Sequence, residues 1–221
     1  MAGSTIFSGG SVLLKPLIHR GLSHWSAKPI VFLVWSLPII WLVYAAFQDL
    51  LGANPAEALI RSLGDWTLRA LVAVLVVTPL RLASGWQALA RFRRMLGVFV
   101  FAYATLHLMA YLWFDMGWDW TETLADIRKR PFILVGFLGW AILLSLAATS
   151  FNRAIRWMGA ARWKVLHRGV FACVVLALLH FFWMRAGKHN FVEVAWYAAI
   201  FAALIGWRLK RWWLARRAAG H

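Results

Sequence analysis

The chain has 221 residues, 62% of them hydrophobic and 14% charged, with a formal net charge of +16. A soluble domain of this length carries more charge and fewer apolar runs, so an all-α integral membrane protein is expected instead. The single cysteine, Cys173, excludes an internal disulfide and a zinc site built from thiolates.

Residues 1–28 form the first segment. Its apolar piece, 12–18, is too short for a signal peptide, and no small-residue cleavage site follows the first span. It reads as an N-terminal arm. A helix needs about 20 apolar residues to cross the hydrocarbon core. Six stretches qualify, at 29–47, 66–82, 95–114, 132–150, 165–184 and 192–209. Pro38 in the first and Pro79 near the end of the second should kink or end their helices, which lipid-buried helices tolerate. No linker or internal repeat divides the chain. One six-helix domain over 29–211 is expected, followed by a basic tail at 212–221.

The loops alternate in charge. Lys15, Arg20 and Lys28 precede the first span, and Arg81, Arg91, Arg93 and Arg94 join the second to the third. Arg153, Arg156, Arg162 and Lys164 join the fourth to the fifth, and Arg208, Lys210, Arg211, Arg216 and Arg217 close the chain. All eight acids fall elsewhere: Asp49, Glu57, Asp65, Asp115, Asp119, Glu122, Asp126 and Glu193. Clusters of Lys and Arg stay cytoplasmic, which places both termini inside. The basic charge therefore sets topology and meets anionic lipid. No basic patch coincides with a nucleic-acid motif, so no nucleic-acid partner is expected. Trp25, Trp86, Trp113, Trp157, Trp163, Trp183 and Trp212 lie near span ends and read as an interfacial belt.

Three histidines fall inside spans, where an imidazole is costly and rarely idle: His107, His167 and His180. His107 lies past the middle of the third span, toward the acidic loops. His167 and His180 are thirteen residues apart on the fifth span, about 20 Å of helical rise. His107 and His180 can therefore share a depth, while His167 marks a second, inner level. An ideal helix turns His167 about 140° away from His180, so a tilt or a π-bulge would be needed to align them.

A haem iron with two axial imidazoles fits the outer pair and suits electron transfer. A buried polar pair, or a proton relay in a transporter, fits the same residues. Zinc fits less well, because no carboxylate or thiolate shares their depth. Gly169, Cys173, Leu176 and Ala177 lie beneath His180 and either leave room for a flat macrocycle or let helices approach. No histidine on the third span matches the level of His167, so a second haem there would need an unusual sixth ligand or none. Arg93, Arg94, Lys164 and Arg168 surround His167 and can hold propionates, a flavin phosphate or lipid headgroups. Arg69 can pair with outer propionates or snorkel outward. His19, His24, His189 and His221 fall in tails or loops. The sequence carries no G-x-G-x-x-G and no Walker loop, so electrons are expected to arrive from a membrane quinol or from a separate flavoprotein.

Several strings recur in an order that resembles a known family. They are Gly52-Ala53-Asn54-Pro55, Thr78-Pro79-Leu80, Arg93-Arg94-Met95-Leu96-Gly97, Ala104-Thr105-Leu106-His107-Leu108, Arg130-Pro131, Thr149-Ser150, Trp163 with Leu166-His167, and His180. Over roughly residues 29–211 the chain resembles the ferric-reductase-like transmembrane domain, shared with the NADPH oxidases. That superfamily has two histidines on each of two helices, and here the third span keeps one. Within it the chain resembles the haem-binding membrane subunits of periplasmic methionine sulfoxide reductase systems.

The resemblance implies haem b in a multi-pass protein of the bacterial inner membrane, one group or two. His107 and His180 would be its ligands, and His167 a third candidate for a second haem. Electrons would pass from quinol to a periplasmic molybdopterin-containing partner that reduces methionine sulfoxide in oxidised proteins. FMN is a further implied cofactor. The chain would be the electron-supplying subunit, without substrate-converting groups of its own. Two rivals stand beside this reading: a ferric reductase fed by a cytoplasmic flavin reductase, and a histidine proton-relay transporter.

Overall fold

The computed structural model describes residues 21–187 and 189–219, and all of their regular structure is helical. Lys15, His19, Arg20 and His221 lie outside the described residues. The helices are α1 (Ala27–Phe47), α2 (Pro55–Ser84), α3 (Arg93–Ala110), α4 (Trp120–Lys129), α5 (Pro131–Ala148), α6 (Asn152–Met158), α7 (Ala160–Leu166), α8 (Gly169–Ala186) and α9 (Val192–Ala218). A 3-10 turn, Gln87–Phe92, leads into α3, and a π turn, Tyr111–Asp115, follows it. Six helical segments among the described residues are long and apolar enough to cross a membrane.

α1 buries Leu42 and Ala45 alone, and leaves Ile30, Phe32, Leu33, Leu37 and Trp41 more than half exposed. Water does not tolerate so broad an apolar face, whereas lipid does. The protein is a multi-pass membrane protein. Its packed interior lies mainly between α2 and α3, where Leu71, Leu75, Val100 and Tyr103 are almost fully buried. α5 packs along α8 to form a second close pair, α3 also touches α5, and α9 lies against α2 and α8.

The spans run longer than hydropathy alone indicates. α2 starts at Pro55, eleven residues before the expected boundary of 66, because Asn54 caps it. The Asn54 side chain accepts from the Glu57 N–H at 3.2 Å, and Pro55 takes the first helical position, where no donor is missed. The far end stops at Gly85, whose φ of 77° suits a left-handed cap. Pro38 and Pro79 each sit inside a continuous helix, so neither ends its helix. The fifth span divides instead: α7 ends at Leu166, and α8 begins at Gly169. α9 continues to Ala218, with Arg211, Arg216 and Arg217 stacked over Trp207, Trp212 and Trp213.

Long-range hydrogen bonds tie the ends of the bundle together. At the basic end Arg91 donates to the carbonyls of Leu22, Ser23 and His24, and Arg94 donates to Asn152 at 2.7 Å. Arg208 on α9 donates to the Leu75 carbonyl of α2. At mid-bundle the buried Tyr103 hydroxyl donates to the Trp35 carbonyl of α1 at 2.6 Å. Such a bond contributes about 1 kcal/mol. Tyr103→Phe is expected to lower the unfolding midpoint in detergent, followed by tryptophan fluorescence, by that modest amount, and to leave cofactor content unchanged.

Candidate functional site

A cavity of about 530 Å³ opens between the α2–α3 pair and the α5–α8 pair. That volume falls within the range of cofactor pockets. His107 lines it from α3 and His180 from α8, with ring centres 6.1 Å apart and planes at 89°. Their helices are not a closely packed pair, so the two rings meet across the cavity rather than at a helix contact.

Each ring is fixed from behind. His107 Nδ1 lies 2.8 Å from the Ile60 carbonyl of α2, and His180 Nδ1 lies 2.7 Å from the Phe132 carbonyl of α5. A carbonyl can only accept, so both Nδ1 atoms carry the proton and both Nε2 lone pairs are left for a metal.

Two glycines make room for the rings. A Cβ built on Gly64 would stand 3.3 Å from the His107 ring, and one built on Gly136 would stand 2.8 Å from His180 Nδ1. Any side chain at 136 must push the imidazole away. Neither glycine, nor either carbonyl, was singled out by the sequence reading. The capping pattern Asn54-Pro55-x-Glu57 was the available signal on one side, since it extends α2 through Ile60 and Gly64. Arg130-Pro131 was the signal on the other, since it starts α5 one residue before Phe132.

The face beneath His180 divides. Cys173 and Ala177 line the cavity. A Cβ built on Gly169 would stand 3.3 Å from Ile142, and one built on Gly139 would stand 3.7 Å from the Leu176 Cβ, so Gly169 and Leu176 face α5. Cys173 is buried, and its thiol lies 3.7 Å from the Gly139 carbonyl.

The deep wall is apolar, with Leu68, Leu71, Trp140 and Leu143, while the acidic end carries Glu57, Arg61, Asp65, Asp115, Arg130 and Arg185. Arg61 pairs with Glu57, Arg130 with Asp126, and Arg185 with Glu193. Tyr111 also donates to Asp126, at 2.9 Å. Burial alone would raise the Asp126 carboxyl, but these donors outweigh it and hold Asp126 below the usual carboxylate range. Arg69 does not line the cavity. Its guanidinium sits 4.7 Å over the Trp66 ring.

His167 lies elsewhere, at the break between α7 and α8. It stacks on Trp163 with ring centres 4.0 Å apart, and its Nε2 is 3.2 Å from the Thr149 hydroxyl. It does not line the cavity, and Arg93 and Arg94 lie near enough to act on it electrostatically. His24 and His189 are exposed. Among the described residues no group of three His, Cys, Asp or Glu side chains is gathered as a metal site, so the facing pair is the arrangement that needs explaining.

Fold and site together define a six-span membrane protein with two opposed imidazoles in a cavity between its helices. Residues 63–179 match the family described as ferric reductase like transmembrane component. A protein of Polaromonas naphthalenivorans is 59% identical over 199 residues, covering 90% of this chain and 91% of its own length. One from Bordetella parapertussis is 44% identical over 92% of this chain and 98% of its own. One from Caulobacter vibrioides is 42% identical over 86% of this chain and 88% of its own. All three are named protein-methionine-sulfoxide reductase heme-binding subunit MsrQ. No solved structure matches the chain. The chain belongs to the ferric reductase like transmembrane family and, within it, to the MsrQ family.

Proposed function

We propose that the protein is the haem b electron-transfer subunit of a methionine sulfoxide reductase system, with His107 and His180 as axial ligands of one haem. The observation that carries this is the separation of the two rings. Two imidazoles on opposite sides of one iron, each bonded at about 2 Å, have their centres about 6 Å apart. The observed 6.1 Å fits that demand. The cavity fits as well, since glycines leave room for both rings, its depth is apolar and one end is charged. Haem supplies a one-electron redox centre there.

The residues present the metal-binding nitrogens and hold them still. Ile60 and Phe132 lock the tautomers, and Gly64 and Gly136 set the ring positions. Leu68, Leu71 and Leu143 keep water from the deep edge. With the arginine-rich loops inside, the acidic end faces the periplasm of the bacterial inner membrane. Electrons then enter from the quinol pool at the basic end and leave to a periplasmic molybdopterin-containing reductase. The acidic segment 115–126, which runs into α4, is the docking edge for that partner. The name of the relatives supports the destination, since it assigns them to protein methionine sulfoxide reduction. Arg93, Lys164 and Arg168 offer the phosphate of an FMN, or lipid headgroups, a cationic contact near His167. A second haem at His167 would draw on the same end.

The test is spectroscopic. The purified protein is expected to show a low-spin Soret spectrum, to be reduced by a quinol analogue, and to be reoxidised by the periplasmic reductase with methionine sulfoxide. Reduction by a flavoprotein with NADPH, but not by quinol, would favour the ferric-reductase reading. A colourless, properly inserted protein would favour the proton relay and end the proposal.

A further inference from the structure

Arg185 is the cavity's unfinished contact. It lines the cavity five residues beyond His180 on α8, toward the acidic end. Its side chain is only 14% exposed, and its Nε is buried with no hydrogen-bond partner among the described residues. Its guanidinium rests 5.3 Å from the Phe181 ring, and a single terminal nitrogen reaches Glu193, whose side chain is 55% exposed. A guanidinium offers five donors in a fork matched to a carboxylate. A buried guanidinium nitrogen left without a partner is uncommon in a settled protein and calls for an explanation.

The rest of the cavity narrows what the missing partner is. Arg61 is engaged by Glu57, and Arg130 by Asp126 and stacking near Phe132. Asp65 and Asp115 line the same end, so an acidic ligand is repelled except where an arginine receives it. The opposite end is apolar. A ligand seated between the two histidines therefore needs one hydrophobic edge and one acidic edge, with the acidic edge turned toward Arg185.

We propose that Arg185 is a positioning residue that receives a propionate of the porphyrin and so fixes which edge of the macrocycle faces the acidic end. This rests on the haem reading of the cavity. Glu193 holds one terminal nitrogen in reserve, and the propionate takes Nε and the remaining donors. Arg185 also places a positive charge near the iron, which favours the reduced state.

The test compares two iron porphyrins, protoporphyrin IX and its dimethyl ester, loaded into full-length protein produced without haem. Loss of the Soret band to an excess of a haem scavenger is followed in detergent. The wild type is expected to release the ester about tenfold faster or more, the worth of one strong charge-assisted contact. In Arg185→Gln the gap between the two porphyrins is expected to close to about threefold or less, and the midpoint potential to fall. Glu193→Gln is expected to keep or widen the gap, and Arg69→Gln to leave it unchanged. A wild type that holds both porphyrins equally overturns the anchor, whatever any variant does. An unchanged gap in Arg185→Gln overturns it as well. A wild type that holds neither porphyrin ends the haem reading itself, and the anchor with it.

Discussion

Replacing either His107 or His180 with alanine is expected to strip the protein of nearly all of its haem, while His167→Ala keeps it. Each member of the facing pair offers one axial nitrogen, and each is already oriented by a backbone carbonyl. Removing groups that merely orient a metal ligand costs about 10–100-fold in affinity, so removing the ligand itself should cost at least the upper end of that range. The other soft donors that line the cavity, Cys173 and Met184, are not imidazoles. Cys173 faces the Gly139 carbonyl on the α5 side, and the Met184 thioether is a weaker donor than the imidazole it would replace. His167 stands apart, stacked on Trp163 and next to Thr149 at the break between α7 and α8. Haem per protein, measured as the pyridine haemochrome in all three variants, decides the matter. Wild-type haem content in both His107→Ala and His180→Ala would overturn the ligand assignment. A loss in His167→Ala equal to theirs would move the centre to the other end of the bundle.

The facing pair was legible in the sequence for a simple reason. Membrane spans announce themselves by hydropathy, and depth along a span follows from counting residues, so two intramembrane histidines at one depth could be matched without a structure. Helix ends were harder to read. Hydropathy marked the second span only from residue 66, and so missed the first three turns of α2, where Ile60, Arg61 and Gly64 serve the site. Those turns carry charges and look like a loop to any apolar window, although Asn54 and Pro55 mark a helix start. The break at His167–Arg168 falls just inside the expected start of the fifth span at 165, among Arg162, Lys164 and Arg168. There hydropathy does not distinguish a helix end from a helix entering the interface. Pro38 and Pro79 do not end their helices, since neighbouring helices and lipid let a helix run on past a proline. Glu193 read only as one of the acids, and nothing in its spacing from Arg185 shows that a nitrogen of that guanidinium is buried at a cavity wall.

Gly136→Ala should remove most of the haem without touching any ligand, whereas Gly139→Ala, one turn along the same helix, should be tolerated. The two positions differ in what a methyl group would meet. At 136 it stands 2.8 Å from His180 Nδ1 and 2.9 Å from Cε1, distances that packed carbon atoms do not adopt. The ring cannot simply slide, because its Nδ1–H is held by the Phe132 carbonyl at 2.7 Å. Relief requires breaking that bond or rotating His180 off its axis, and either takes Nε2 away from the position opposite His107. At 139 the same methyl meets Leu176 Cβ at 3.7 Å, an ordinary contact. Both substitutions raise helix propensity by about 1 kcal/mol, so a loss seen only at 136 cannot be a failure to form α5. Gly64→Ala belongs between them, since its methyl would stand 3.3 Å from the His107 ring, which must give way by only a few tenths of an ångström. The expected order of haem content is therefore Gly139→Ala above Gly64→Ala above Gly136→Ala, read from Soret absorbance at matched protein concentration. A Gly136→Ala protein with wild-type haem would show that the imidazole of His180 sits elsewhere when the cofactor is bound.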